Sequence, residues 1–296
     1  GLDVFGPYEV KSGRLTRKRY VLLITCFVTR GVVLLPLSDM TLDSVVYALV
    51  KCHTQFPSLK KLVSDNGTNF KGANREIQEA IKAWNENEMN DKLSEEGLEW
   101  SFGPAHCGHF GGLWERLVGI AKNSIRACMH GKTLSIDEFD ALIAATAGIM
   151  NRRPLTRATN DINELTVLSP AHFLYPYYEI SPSTNIVPPI PGDGDTLRSA
   201  WSEIRAILDT FWARWSAEYV NTLIQRSKWK TSHDDYRVGD VVLLTDDIQP
   251  RERWKIARIA EIKDSDDRRQ RRYVLEDSFK NKFDRHRESI IHIELY

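Results

Sequence analysis

Three acidic residues stand where the predicted secondary structure could gather them into one metal site. Asp3 lies in Gly1-Leu-Asp-Val-Phe5, which we interpret as the end of a strand whose beginning is missing. Asp65 follows a short predicted strand at residues 60–64, and Glu115 lies in the first turn of a predicted helix at residues 113–129. Neighbouring carboxylates raise each other's pKa, and a divalent cation removes that cost. Two such ions promote phosphoryl displacement, and hard carboxylate oxygens favour Mg²⁺ or Mn²⁺.

Each of these residues also has an ordinary structural explanation. Asp3 can be a simple strand-end residue, and Asp-Asn-Gly at residues 65–67 is common turn chemistry. Glu115 can be a first-turn glutamate that the helix dipole favours. Their joint occurrence, in this order and on these elements, favours the metal site.

The first half of the chain predicts a mixed sheet flanked by helices, an α/β fold. Continuous apolar runs indicate strands at residues 20–28 and 32–37, and a shorter strand is predicted at 98–102. Further helices are predicted after an N-cap at Thr41, at residues 74–84, and at residues 135–150, where Ser135 and Glu138 form a capping box. Residues 85–97 are very polar and predict neither a helix nor a strand. Because ligands bind at the carboxyl ends of strands in such sheets, Asp3 and Asp65 are expected there.

The second half predicts a linker, a long helix and a small β domain. Residues 176–194 are rich in proline and glycine, and residues 197–229 carry apolar residues, several of them tryptophans, along one helical face. Short β-rich runs at residues 237–296 predict a barrel of about four or five strands. The predicted domains are a catalytic core, a linker, a Trp-rich helix and a barrel, at residues 1–175, 176–195, 196–232 and 233–296.

Composition excludes some classes of protein. No apolar run has the length of about 20 residues that a membrane-spanning helix needs. The four cysteines are far apart, which disfavours a disulfide framework and fits a reducing compartment. His106, Cys107 and His109 are too tightly spaced for a zinc site, and no second pair follows nearby. With 40 basic and 40 acidic residues, composition alone gives no support to nucleic-acid binding.

The sequence around the acidic residues resembles a known family. The segments are Gly1-Leu-Asp3-Val-Phe-Gly-Pro7, Ser64-Asp65-Asn-Gly-Thr-Asn-Phe70 and His109-Phe-Gly-Gly-Leu-Trp-Glu115-Arg-Leu-Val118. They are similar to the three acidic motifs of retroviral-type integrases, most of all those of BEL/Pao long-terminal-repeat retrotransposons. Six further blocks agree with this resemblance: Arg17-Lys-Arg-Tyr20, Asn151-Arg-Arg-Pro-Leu-Thr156, Leu168-Ser-Pro-Ala-His-Phe173, Arg226-Ser-Lys-Trp229, Val238-Gly-Asp-Val-Val-Leu243 and Pro250-Arg-Glu-Arg-Trp254.

The resemblance implies an RNase H-like core that joins the 3′ ends of element DNA to target DNA after 3′ processing. It implies that Asp3 and Asp65 bind one Mg²⁺ or Mn²⁺ ion and that Asp3 and Glu115 bind a second. It also implies a homo-oligomer, an origin in a polyprotein, and action in the nucleus after a stage in a cytoplasmic virus-like particle. The family's N-terminal zinc module is not in this sequence, and residues 85–97 lengthen the interval between Asp65 and Glu115.

Six residues are expected to contact DNA. The resemblance places Asn66, Thr68 and Asn69 on the DNA-facing rim, and it places His109 in the loop before Glu115, where it would help to position DNA. Lys122 lies two helical turns after Glu115 on the same face, from which an ammonium could reach a phosphate, and Arg126 continues that face. A solvated helix surface is the alternative for these two residues.

Two functions remain open at this point. The first is an active DNA strand-transferase, which the presence of all three acidic residues favours. The alternative is a domesticated or decayed remnant that binds DNA or a partner without catalysis, which the truncated start favours.

Overall fold

The computed structural model describes most of the chain, and its residues form two compact units. The described residues are 1–64, 77, 79, 80, 83, 86–102, 112–158, 165, 167–175, 195–223, 236–245, 254–263 and 272–293, with backbone only at 86, 102, 112–118, 157 and 195–201. One unit comprises Gly1–Asn151 with Asp193–Leu208, and the other comprises Arg152–Gly192 with Asp209–Tyr296. The four-domain division expected from sequence stays a prediction.

The first unit contains a mixed sheet. Its main strands are β1 (Leu2–Ser12), β2 (Leu15–Thr25), β3 (Val32–Leu37), β4 (Lys61–Ser64) and β5 (Glu99–Phe102). They are ordered β3-β2-β1-β4-β5, and the short β6 (Leu134–Ser135) also pairs with β1. β1, β2 and β3 are antiparallel, whereas β4 is parallel to β1 and β5 is parallel to β4. This is the strand order of an RNase H-like sheet, so the predicted fold class is confirmed.

β1 corrects one expectation from the sequence. Asp3 lies near the amino end of an 11-residue strand, not at the end of one. The strand continues because its pairing with β2 extends as far as Ser12 and Leu15, beyond the buried part of the sheet. Gly13, with a φ of 64°, lies in the turn that follows. Residues 26–28, which were predicted to extend β2, lie in a turn after Thr25.

Four helices lie wholly in the first unit within the described part of the chain: α1 (Leu42–Gln55), α2 (Glu86–Ser94), α3 (Gly112–Met129) and α4 (Ile136–Asn151). Two of them begin at the predicted caps. Ser44 N donates to Thr41 Oγ1 at 3.3 Å. Ser135 N donates to Glu138 Oε2 at 2.7 Å, and Glu138 N donates to Ser135 Oγ at 3.3 Å, which completes the capping box. The predicted helix at residues 74–84 lies mostly outside the described residues.

Helix α2 was missed by the sequence analysis. It lies within the polar stretch at residues 85–97, where Met89 and Leu93 are the fully buried residues among the described side chains. These two residues are one helical turn apart and pack into the core beneath α1 and β5. Two apolar positions are too few to show a helical period in a sequence this polar.

Two asparagines cover the strands at the ends of the described sheet. Val32 N of β3 donates to Asn151 Oδ1 at 2.8 Å, and Asn151 Nδ2 donates to Val32 O at 2.7 Å. On β5, Trp100 N donates to Asn90 Oδ1 at 2.8 Å, and Asn90 Nδ2 donates to Trp100 O at 2.9 Å. Each side chain replaces one residue of a missing neighbouring strand and satisfies backbone groups that an edge leaves unpaired.

The second unit contains a five-stranded antiparallel sheet. Its strands are β9 (Val241–Leu244), β10 (Ile256–Lys263), β11 (Arg272–Glu276), β12 (Lys282–His286) and β13 (Ile290–His292), in the order β12-β11-β10-β9-β13. This confirms the predicted all-β C-terminal part. β12 was not predicted, because Phe283 is the one apolar residue in Lys-Phe-Asp-Arg-His. The short β7 (Thr156–Arg157) and β8 (Val167–Leu168) pair with each other, and α5 (Pro170–Leu174) follows them.

Helix α6 (Asp195–Leu223) confirms the predicted long helix, and its residues are divided between the two units. In the second unit its aromatic side chains pack on Trp254, whose ring centroid is 4.9 Å from that of Trp212 and 5.6 Å from that of Tyr219. Trp215 is completely buried in the same cluster. These tryptophans therefore form core packing. Within the described part of the chain, no helix is long and apolar enough to cross a membrane.

Candidate functional site

Asp3 lies on the central strand of the sheet, beside the end of β4. Leu2 is the parallel register partner of Ser64, which is the last residue of β4 and the residue before Asp65. The described part of β4 therefore ends at Ser64, directly beside the amino end of β1, where Asp3 lies. Any proximity of Asp65 to Asp3 is expected from this parallel register of β1 and β4. It does not follow from two strand carboxyl ends, as the sequence analysis had assumed. The structure of Asp65 itself lies outside the described residues.

Both oxygens of the Asp3 carboxylate have a partner. Val4 N donates to Asp3 Oδ1 at 2.7 Å, and Lys122 Nζ forms an ion pair with Asp3 Oδ2. The Asp3 and Lys122 side chains are 14% and 19% exposed, so water screens this pair less than it would on an open surface. Lys122 Nζ also lies 5.6 Å from the centroid of the Phe5 ring, within the range of a cation–π contact.

Helix α3 brings Glu115 and Lys122 to the same part of the molecule. Glu115 lies in the first turn of this helix, and its side chain lies outside the described residues. Lys122 follows on the same face, about 10 Å further along the axis. Side chains on a helix lean toward its amino end, so we expect the Lys122 ammonium on the Glu115 side of the Lys122 Cα.

Gly119 lies on the same helical face, between these two residues. A Cβ added at Gly119 would meet no described atom within 4 Å. Within the described part of the chain, there is therefore open space next to the helix at Gly119.

The other predicted DNA contacts are only partly described. Arg126 is exposed one turn after Lys122 on α3. Burial raises the pKa of the nearby Tyr8 hydroxyl well above its usual value, and the Arg126 charge opposes that rise. Four predicted residues lie outside the described part of the chain: Asn66, Thr68, Asn69 and His109. The structure thus brings Asp3 and Lys122 together and places the Glu115 backbone on the same helix as Lys122.

The chemistry of Asp3 fits a hard divalent cation. Its carboxylate is partly buried, its Oδ1 is oriented by a backbone amide, and its Oδ2 already faces a positive charge, the Lys122 ammonium. In the described part of the chain no three His, Cys, Asp or Glu side chains form a metal-binding group. The side chains of Asp65 and Glu115 are outside that part, so the expected three-carboxylate set stays a prediction.

The pairing of Lys122 with Asp3 was missed by the sequence analysis. Spacing placed Lys122 on the Glu115 face but gave it a DNA phosphate as its partner. The signal available in the sequence was the distance of two helical turns, because a long side chain leaning back along the helix can reach the sheet below. A role for Lys122 in binding DNA stays a prediction.

The cysteines do not change this description of the site. Cys26, Cys52 and Cys128 are free thiols, and burial raises the pKa of Cys52 to about 11. Cys107, together with His106 and His109, lies outside the described residues, so the low expectation of a zinc site there stays a prediction.

Comparisons with known proteins give three results. Residues 199–292 match the model of a family of unknown function, DUF5641, which covers less than half of the chain. No curated protein matches the sequence. Among solved structures, the chain is similar to the catalytic core domain of BIV integrase, with 14% identity and a TM-score of 0.36, over 53% of this chain and 86% of that chain.

A second solved structure is an intasome of simian T-cell lymphotropic virus in complex with PP2A regulatory subunit B56 gamma. The match has 12% identity and a TM-score of 0.33, over 97% of this chain and 76% of that chain. Both TM-scores are below 0.5. The assignment of the fold therefore rests on the strand order and register of this chain.

Proposed function

We propose that this protein is an integrase of a long-terminal-repeat retrotransposon, of the BEL/Pao type, which joins the 3′ ends of element DNA to target DNA. The observation that carries the proposal is the position of Asp3. Its strand lies in register with the end of β4, where Asp65 follows, and its carboxylate is bound by a residue of α3, the helix of Glu115. β1, β4 and α3 are distant in sequence, and the described residues bring all three elements to the neighbourhood of Asp3.

Asp3 and Asp65 would hold one Mg²⁺ or Mn²⁺ ion, and Asp3 and Glu115 would hold the second. When bound, such ions supply activation of an attacking hydroxyl and stabilisation of the leaving oxygen. Asp3 is suited to bind both ions because its strand, β1, is the central strand of the sheet and lies between β4 and β2. Its backbone hydrogen bond from Val4 fixes the orientation of the carboxylate before any ligand arrives.

The DNA would lie over the open end of this site. Asn66, Thr68, Asn69 and His109 belong to the two integrase-like segments that contain or precede the acidic residues, and they would contact it from the rim. Lys122 and Arg126 would contact phosphates from α3. Concerted joining of two DNA ends requires more than one active site, so we propose a homo-oligomer that acts in the nucleus after a stage in a cytoplasmic particle.

A DNA-joining assay tests this function. The full-length protein, with Mn²⁺ and a labelled duplex carrying the terminal repeat of the parent element, should join that duplex to plasmid DNA. Asp65→Asn should reduce joining by at least about 100-fold, because the substitution removes a metal ligand and with it the stabilisation of the transition-state charge. The unfolding midpoint should stay unchanged, because the substitution leaves the packing of the core as it is. Asp91→Asn, an exposed carboxylate on α2, serves as the matched control.

The outcomes separate the two candidate functions. Joining that survives Asp65→Asn would refute the assignment of the metal site. Wild-type protein that binds DNA but joins none, with any metal, would favour a non-catalytic remnant that acts as a DNA-binding or interaction protein.

A further inference from the structure

Lys122 connects two ligands that the proposed function treats separately, the metal and the DNA. Its ammonium is bound to Asp3 Oδ2, on the carboxylate that would be shared by both ions. The same ammonium lies near the Phe5 ring, 5.6 Å from its centroid, and Phe5 is buried in the sheet beneath it. Lys122 is therefore held at Asp3 by an ion pair and a ring contact together.

An ammonium and a divalent cation compete at this oxygen. Both are positively charged, and two cations a few Å apart in a partly buried site repel each other strongly. Oδ1 accepts a hydrogen bond from Val4 N at 2.7 Å and keeps a second lone pair, but a carboxylate that is shared by two ions needs Oδ2 as well. Lys122 must move away from Oδ2 before Asp3 can bind a metal ion fully.

A displaced Lys122 needs another anion. Its ammonium lies on the face of α3 that leads to Glu115, and the position between the two residues is Gly119, where no described side chain blocks the way. The ligand that the proposed function brings to this face is the DNA backbone. A phosphate is a strong partner for a lysine ammonium.

We infer that Lys122 couples metal binding to DNA binding: it pairs with Asp3 while either ligand is absent and transfers to a DNA phosphate when metal and DNA are both bound. This inference rests on the proposed function, since it takes the metal and the DNA from it. Coupling of this kind is reciprocal, so DNA tightens metal binding by the same factor by which metal tightens DNA binding. The consequence is a site that assembles its metals only on its substrate.

Calorimetric titration of Mn²⁺ into the full chain, with and without a duplex oligonucleotide of arbitrary sequence, measures the coupling. For the wild type, we expect DNA to increase Mn²⁺ affinity by about 10-fold, in the usual range of coupling between two sites. Lys122→Met keeps the length of the side chain but removes its charge. It should bind Mn²⁺ about 10-fold more tightly without DNA and gain little more when DNA is added.

The matched control is Lys92→Met. Lys92 forms an ion pair with Asp43 at 2.6 Å and a second with Glu88 at 3.3 Å, on exposed side chains of α2 and α1. This variant should retain the wild-type Mn²⁺ affinity and the wild-type response to DNA. Lys122→Gln repeats the test if Lys122→Met lowers the unfolding midpoint.

A second readout uses the salt dependence of DNA binding. Without Mn²⁺, Lys122 is committed to Asp3, so wild type and Lys122→Met should show the same slope of affinity against salt. With Mn²⁺, the wild-type slope should be steeper by about one unit, the contribution of one phosphate contact.

Two results would overturn the inference, and they can be told apart. Equal Mn²⁺ affinity for wild type and Lys122→Met, both without DNA, would refute the coupling and leave the proposed function intact. Failure of every variant to bind Mn²⁺, with or without DNA, would refute the metal site and the proposed function with it.

Discussion

At the scale of single residues, partly buried charges differ in whether the protein provides them with a partner. Asp3 has a backbone amide on one oxygen and the Lys122 ammonium on the other. Asp140, on α4, has one oxygen that is buried and accepts no hydrogen bond from any described residue. Burial raises the pKa of Asp140, although the charges of Arg19 and Lys51 oppose the rise. Ionisation of Asp140 is therefore less favourable in the folded protein than in the unfolded chain.

The shifted pKa of Asp140 predicts a pH-dependent effect of Asp140→Asn. A folded-state pKa above the model value of 3.8 means that the folded protein binds this proton more tightly than the unfolded chain. Ionised Asp140 thus lowers stability at pH values above its folded pKa, and the penalty vanishes as the pH falls below about 3.8. Asp140→Asn should raise the free energy of unfolding at pH 7, by less than about 1 kcal/mol because water screens the partly buried carboxyl.

Urea unfolding at a series of pH values checks this prediction as the difference between Asp140→Asn and the wild type. The difference should be positive at pH 7 and close to zero near pH 3. The exposed carboxylate of Asp91 provides a control in Asp91→Asn, which should show no such trend. A gain in stability at pH 3 equal to that at pH 7 would show that charge is not its cause.

At the scale of secondary-structure elements, Asn151 joins the end of α4 to the edge of β3. Its side chain is fully buried, and it binds both the N–H and the C=O of Val32, which is also fully buried. Asn151 belongs to one of the integrase-like sequence blocks. The structure gives this residue a role in holding the sheet.

Asn151→Ala should lower the free energy of unfolding by about 2–4 kcal/mol, since it leaves two buried backbone groups without partners. Asn151→Asp is a sharper variant, because it keeps the acceptor for Val32 N–H but turns an oxygen toward Val32 C=O, and it should be at least as destabilising. Asn90→Ala makes the matched change at the partly buried edge of β5 and should cost less. Denaturant unfolding measures all three, and a loss below about 0.5 kcal/mol for Asn151→Ala would contradict this role.

The elements that could be predicted from sequence are those with local signals. β3 has the predicted bounds, and α1 and α4 begin at Thr41 and Ser135 because a cap is formed by residues within one turn. β1 and α2 could not be predicted in the same way. The second half of β1 is held by its ladder with β2, and α2 is held by the contacts of Met89, Asn90 and Leu93 with the sheet. Those contacts join residues that the chain brings together only when it folds.

The candidate site shows the same division. The grouping of Asp3, Asp65 and Glu115 was predicted from the joint occurrence and order of their motifs, and it stays a prediction. The partner of Lys122 could not, since a lysine at helical spacing can face solvent, DNA or the sheet. The parallel register of Leu2 with Ser64 was also beyond reach, because nothing within either strand specifies the offset between them.

At the scale of the whole molecule, the chain combines an RNase H-like sheet and a five-stranded antiparallel sheet, each in its own compact unit. The first unit carries the acidic positions, and the second contains most of the segment that matches the family of unknown function. The proposed chemistry requires Asp3, Asp65 and Glu115, from β1, the end of β4 and α3, to act on the same DNA end. The proposal therefore requires all three residues and the metal to be assembled around one DNA end.

Locating Mn²⁺ by anomalous scattering, in crystals of the full-length protein with duplex DNA, tests that claim most directly. We expect an ion at about 2.1 Å from a carboxylate oxygen of Asp3, with Asp65 or Glu115 among its other ligands, and Lys122 Nζ bound to a DNA phosphate. Mn²⁺ bound elsewhere, with the Asp3–Lys122 ion pair intact in the presence of DNA, would contradict both the metal site and the role of Lys122.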